Sequence, residues 1–121
     1  MKTLSLCVAA IAGLAAMVPP AHARTPYDGS WDLVFVTQMG ACDPSYNFTV
    51  NISDGIVSHP NLVRFWGRVA RSGAVRASVT VSDRYAAGSG RLSGRTGRGI
   101  WSGYSGRARC AGYWIARRTR W

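Results

Sequence analysis

The chain has 121 residues, 15 Lys and Arg against 5 Asp and Glu, and a formal charge of +10. That length allows one domain with a modest core and excludes a multidomain enzyme. Two histidines and three cysteines, with no CxxC or His-rich spacing, give no metal motif, so no metal and no cofactor are expected.

The first element in chain order is an export signal. Met1-Lys2 is a short positive segment, and Leu4 to Val18 is an uncharged apolar run. Pro19-Pro20 ends any helix, and Ala21-His22-Ala23 is a small-x-small cleavage site. The run of about 15 residues falls short of the ~20 needed to span a bilayer. Cys7 lies inside it, preceded by Leu6 where a lipoprotein signal would have a small residue. Residues 1–23 are therefore expected to be a signal peptide cleaved after Ala23, and 24–121 a single periplasmic or extracellular domain of 98 residues. No long apolar run follows Pro20, so no membrane-spanning segment is expected beyond it.

Removing the leader, and Lys2 with it, leaves 14 arginines against five aspartates, a charge of +9. Such a field favours anionic partners, whether nucleic acid, lipid or acidic glycan. A composition rich in Arg, Ala and Gly is also what GC-rich codon usage produces. Of the remaining cysteines, Cys42 and Cys110 form an exported pair, most simply a disulfide. The bridge would close a loop of 69 residues and restrain the unfolded chain by roughly 4 kcal/mol.

Short alternating runs separated by turn residues follow, the pattern of strands. Trp31, Leu33 and Phe35 share one face of the first strand; Tyr46, Phe48, Val50 and Ile52 share one face of the second. Ser53-Asp54-Gly55 carries an Asp-Gly hairpin signal, and Ile56-Val57 begins a short return. Val63 to Ala70 and Val75 to Ser82 alternate around the turn at Arg71-Ser72-Gly73. Asp83-Arg84 is the next expected turn, then a strand from Tyr85 to Ser93, a turn over Gly94 to Gly97, and a strand from Gly99 to Gly103. The last strand is expected over about Arg109 to Arg117, with Cys110, Gly112, Trp114 and Ala116 on one face.

The fold class is thus all-β: an antiparallel meander of seven or eight strands, closed as a small barrel or packed as a sandwich. Trp31, Phe48, Phe65, Val79, Leu92 and Trp114 are expected to point inward. Eight glycines between Gly88 and Gly112 would make room for Trp101 or Trp114.

Catalytic signals are weak. His59 lies in His-Pro-Asn, which reads as a solvent-facing turn, and the aspartates fall in turns or outward positions. No Gly-x-Ser-x-Gly elbow is present, and no catalytic residue is assigned. The arginines are more informative. Arg64, Trp66 and Arg68 would lie on the outer face of one strand and Arg76 on the same face of the next. Guanidinium stacks on indole and grips carboxylate or phosphate in two places at once. The alternative is that Trp66 covers an open barrel end above a solvated basic face. Arg117, Arg118, Arg120 and Trp121 form a basic aromatic tail that could touch anionic lipid or simply fray.

Asp28-Gly29-Ser30-Trp31, Gly40-Ala-Cys42-Asp43, Gly88-Ser-Gly90-Arg-Leu-Ser-Gly94, Gly99-Ile-Trp101-Ser-Gly103 and Cys110-Ala-Gly112-Tyr-Trp114 together carry a resemblance. The chain is similar to a group of small secreted proteins of soil and plant-associated alphaproteobacteria. The resemblance implies export and a disulfide, and transfers no catalytic residue. Gly29-Ser-Trp31 also resembles the Gly-x-Trp of the first strand in lipocalins and related calycin barrels, which are longer chains.

The function expected is a non-enzymatic binding module for an anionic envelope polymer, glycan or nucleic acid, working through Arg64, Trp66, Arg68 and Arg76. A protein-binding module, such as an enzyme inhibitor, would instead use Tyr46, His59, Asn61 and Tyr104. A small-ligand carrier would need an internal pocket.

Overall fold

A computed structural model describes residues 25–61 and 64–121. The expected signal peptide and its cleavage site lie outside the described residues, as does Val63 at the start of an expected strand. The described chain forms β1 (Gly29–Met39), β2 (Ser45–Ser53), β3 (Ile56–Ser58), β4 (Phe65–Val69), β5 (Ala74–Val81), β6 (Arg84–Ser93), β7 (Thr96–Ser105) and β8 (Ala108–Arg120). Each strand pairs antiparallel with the next, and β8 returns to β1, closing an eight-stranded barrel. Closure pairs the first and last strands, which would be edges in an open sandwich; the ladder is thinnest around β3, which meets β4 at the single pair Ile56–Arg68. No helix among the described residues is long and apolar enough to cross a membrane.

The turns set the register. Asp54 and Gly55 have φ of 54° and 76°, the paired positive values that a two-residue type I′ hairpin requires. The β5–β6 turn falls one residue earlier than the sequence implies. Ser82, at φ 57°, begins it, and Arg84 becomes the first residue of β6. The last strand is longer than expected: β8 runs to Arg120, so the basic tail is sheet and not a frayed end.

Strand alternation sends Trp31, Val50, Ile52, Val57, Val69, Leu92, Trp101, Trp114 and Ala116 into one buried core. The expected inward residues Phe48, Phe65 and Val79 also line the interior. Buried indoles need a partner for their N–H. Trp31 Nε1 donates to the Tyr27 carbonyl at 2.9 Å, Trp101 Nε1 to Val36 at 3.1 Å, and Trp114 Nε1 to Ser89 at 3.2 Å. The glycine-rich strands make this packing possible. A Cβ at Gly90 or Gly99 would stand 2.5 Å from the Trp114 ring.

The two ends of the barrel differ. Residues Thr25–Asp28 plug one end, where Arg118 projects inward from β8, 6% exposed. Its guanidinium lies 5.1 Å from the Trp31 ring centroid and 4.0 Å from that of Trp121, and Nη2 donates to the Pro26 carbonyl. Asp28 ties the plug to the β2–β3 turn by accepting from the backbone N–H of Asp54 at 2.9 Å. The other end is open. There Cys42, in the loop after β1, is bonded to Cys110 on β8, with the Cα atoms 6.1 Å apart.

Candidate functional site

The outer surface carries most of the arginines, and register decides how they meet. Trp66 and Arg68 project outward from β4, and Arg76 from β5. Arg68 and Arg76 are directly opposed across the strand pair. One step further along the barrel, Arg91 on β6 and Arg98 on β7 are directly opposed as well. Arg76 pairs with Ser89 and Ala74 with Arg91, so Arg76 and Arg91 are diagonal neighbours. Arg98 pairs with Ile115, which makes Arg117 on β8 its diagonal neighbour in turn. Opposed Cβ atoms lie roughly 5 Å apart and diagonal ones roughly 7–8 Å. Five exposed arginines on five consecutive strands thus form one descending staircase.

Little opposes this charge on the same face. Asp28 and Asp54 belong to the plugged end, and Asp43 and Asp83 to loops at the open end. Asp32, on β1, is the one aspartate projecting from the outer face of a strand. It pairs in register with Arg117 and accepts a hydrogen bond from the Thr49 hydroxyl at 3.0 Å. The faces of β4 to β7 hold none.

Of the residues singled out by sequence, Trp66, Arg68 and Arg76 come together here. Arg64 does not extend β4. It sits in the turn before that strand, its carbonyl accepting from Thr80 N–H at 3.0 Å. Trp66 is 51% exposed and lines an outer groove, so it does not cap the open end. Sequence reasoning passed over Arg91 and Arg98 and assigned Arg117 to a basic tail, although each stands next to an inward residue (Leu92, Gly97 and Ala116) whose parity puts it outside.

Two grooves flank the staircase. One, of about 740 Å³, is bounded by Trp66, Arg76, Tyr85, Ile100 and Met39. The other, of about 790 Å³, contains Arg91, Arg98 and Arg117, with Asp32 at its margin.

A third cavity lies in the open mouth. It measures about 410 Å³ and is lined by Phe35, Phe48, Trp101, Tyr46, Tyr85 and Tyr104, among others, with Arg84 at its rim. Below it, the tryptophan-filled interior leaves only about 80 Å³. Of the residues considered for protein binding, Tyr46 on β2 and Tyr104 on β7 line this cavity, on strands and not in loops. Tyr46 accepts from Asp43 N–H at 3.1 Å, and Tyr104 stacks on Tyr85 at 5.7 Å. His59 is half-buried against Phe48, ring centroids 6.1 Å apart, and not free in solvent as its turn sequence implies. Its Nδ1 accepts the Asn61 N–H at 3.1 Å. Among the described residues no three His, Cys, Asp or Glu side chains could share a metal ion.

Compared with family models, curated proteins and solved structures, the chain finds no match.

Proposed function

We propose that this protein is a non-enzymatic binding module for an anionic polymer, held along the arginine staircase, and that it works outside the cytoplasm after loss of residues 1–23. The observation that carries the reading is that Arg68 and Arg76, and Arg91 and Arg98, are directly opposed in register. Like charges placed directly across a strand pair destabilise a sheet by roughly 0.2–1 kcal/mol. Two such pairs without a facing carboxylate make sense where a ligand supplies the negative charge. The span of five strands, on the order of 20 Å at ~4.8 Å per strand, suits a polymer better than a single ion.

The test is binding of the oxidised protein to polyanions across a salt series. Affinity is expected to fall steeply with salt, because bound polymer releases counterions. Arg76→Gln/Arg98→Gln should flatten that dependence and weaken binding about tenfold or more. Salt-insensitive binding, or binding indifferent to these changes, would remove the reading.

The mouth supports a second reading, a carrier of a small apolar or aromatic ligand. Its aromatic lining meets the interior cavity through Phe35, Phe48, Val79 and Ala86. A neutral fluorescent probe such as Nile red should brighten in the mouth, and Val81→Trp at the rim should abolish the signal. No brightening, or brightening untouched by that change, counts against it.

A further inference from the structure

One row of outward side chains crosses six strands: Trp66, Ser78, Ala87, Ser102 and Ala111 in continuous register, then Met39 just past a bulge in the β1–β8 ladder. The four inner members are all small. The row on one side holds Arg76, Ser89, Ile100 and Tyr113; the row on the other holds Thr80, Tyr85, Tyr104 and Arg109. The low row is the floor of a trench, the 740 Å³ groove described above, with Arg76, Ser89 and Ile100 along one wall and Tyr85 on the other. Same-face neighbours along a strand are two residues apart, so the walls stand roughly 13 Å from each other, and the trench arcs over about 24 Å. A single polymer chain fits that width.

The groups along it select the polymer. Trp66 offers an exposed indole face at one end, suited to the C–H face of a sugar ring. Ser78, Ser89 and Ser102 carry hydroxyls that can both donate and accept, as sugar hydroxyls do. Arg68 and Arg76 stand beside Trp66 and can hold a carboxylate through paired N–H groups. A nucleic-acid strand would call for a succession of stacking platforms along its path, and between Trp66 and Met39 the floor offers none. We propose that the trench seats one chain of a carboxylated polysaccharide, with a sugar ring on Trp66 and a neighbouring carboxylate on the Arg68–Arg76 pair. This rests on the polyanion reading above and names the ligand class for the same face.

The test compares four probes on the oxidised protein at low and physiological salt: alginate oligomers, polyglutamate of equal charge, neutral dextran and oligo(dT). Alginate is expected to bind at least tenfold more tightly than polyglutamate, with dextran and oligo(dT) weaker than alginate. Trp66→Ala, and Ser102→Leu in the floor, should bring alginate down to the polyglutamate level, while Trp66→Phe keeps most of the preference. Polyglutamate binding should be the same in all three variants, which also shows that they fold. Equal binding of alginate and polyglutamate, equal losses of both in the variants, or preference for oligo(dT) would overturn the sugar assignment and leave the polyanion reading standing. Failure of every charged probe to bind would overturn both.

Discussion

Asp28 shows how much one side chain can join. Burial pushes its carboxyl up, but the hydrogen bonds it accepts outweigh that effect. The Thr25 hydroxyl at 2.5 Å and the backbone N–H groups of Asp54 at 2.9 Å and Gly55 at 3.4 Å favour the charged form. The net result is a carboxyl held below its ordinary value. Nearby, burial first and the Arg95 charge second push the Arg118 guanidinium down, while Asp28 and Tyr27 act the other way. The plug is thus a charge-assisted latch whose acid half can be titrated. Asp28→Asn is expected to cost about 1–3 kcal/mol at pH 7, because the hydrogen bonds lose their charge. A carboxyl with a lowered folded pKa contributes fully above its unfolded value of about 3.9 and loses that contribution as the pH falls through the folded value. Denaturant midpoints of the two proteins should therefore differ at pH 7 and converge near pH 2. A gap that stays constant with pH would show that the charge is not what holds the plug.

At the scale of the element, hairpin chemistry made the strands legible. Asp54-Gly55 and Ser72-Gly73 fall at turns, and the alternation before and after them assigns Trp31, Phe48, Leu92 and Trp114 to the interior. Two features resisted. Ser82 adopts a positive φ without being glycine, so nothing in its identity marks the turn, and the β5–β6 hairpin is read one residue late. β8 ends in Arg117, Arg118, Arg120 and Trp121, a composition typical of a solvated tail. Arg118 keeps the inward parity of Trp114 and Ala116 because Trp31 and Trp121 accept its cation and the Pro26 carbonyl accepts its N–H. The staircase resisted for a different reason. Along any one strand only Trp66 and Arg68 stand out. The opposition of Arg91 to Arg98, and the row of small residues from Ser78 to Ala111, exist only once neighbouring strands are in register. Register across eight strands depends on every turn at once, and a single slip would turn these residues inward.

For the molecule as a whole, the excess of arginine links stability to solution conditions. With +10 on 121 residues, and no aspartate on the outer faces of β4 to β7, the folded state gathers repulsion that the expanded chain relieves. If the two opposed pairs cost about 1 kcal/mol together, screening them should raise the melting temperature by about 4–8 °C, the shift such an energy produces in a domain of this size. Raising sodium chloride from roughly 50 mM to 500 mM, where the screening length drops to a few ångströms, is expected to stabilise the barrel by that order. Arg76→Gln/Arg98→Gln should melt higher than the parent at low salt and respond less to added salt. A saturating polyanion adds to this by mass action, about 2.7 kcal/mol at a hundredfold excess over its Kd. Thermal melts across salt, with and without polymer, read all three effects. A melting temperature flat in salt for the parent would mean that the arginines do not repel one another, and the argument from uncompensated charge would fall. A rise with salt in the parent, much reduced in the double variant and replaced at low salt by added polymer, is the pattern expected of a face whose missing counter-charge is its ligand.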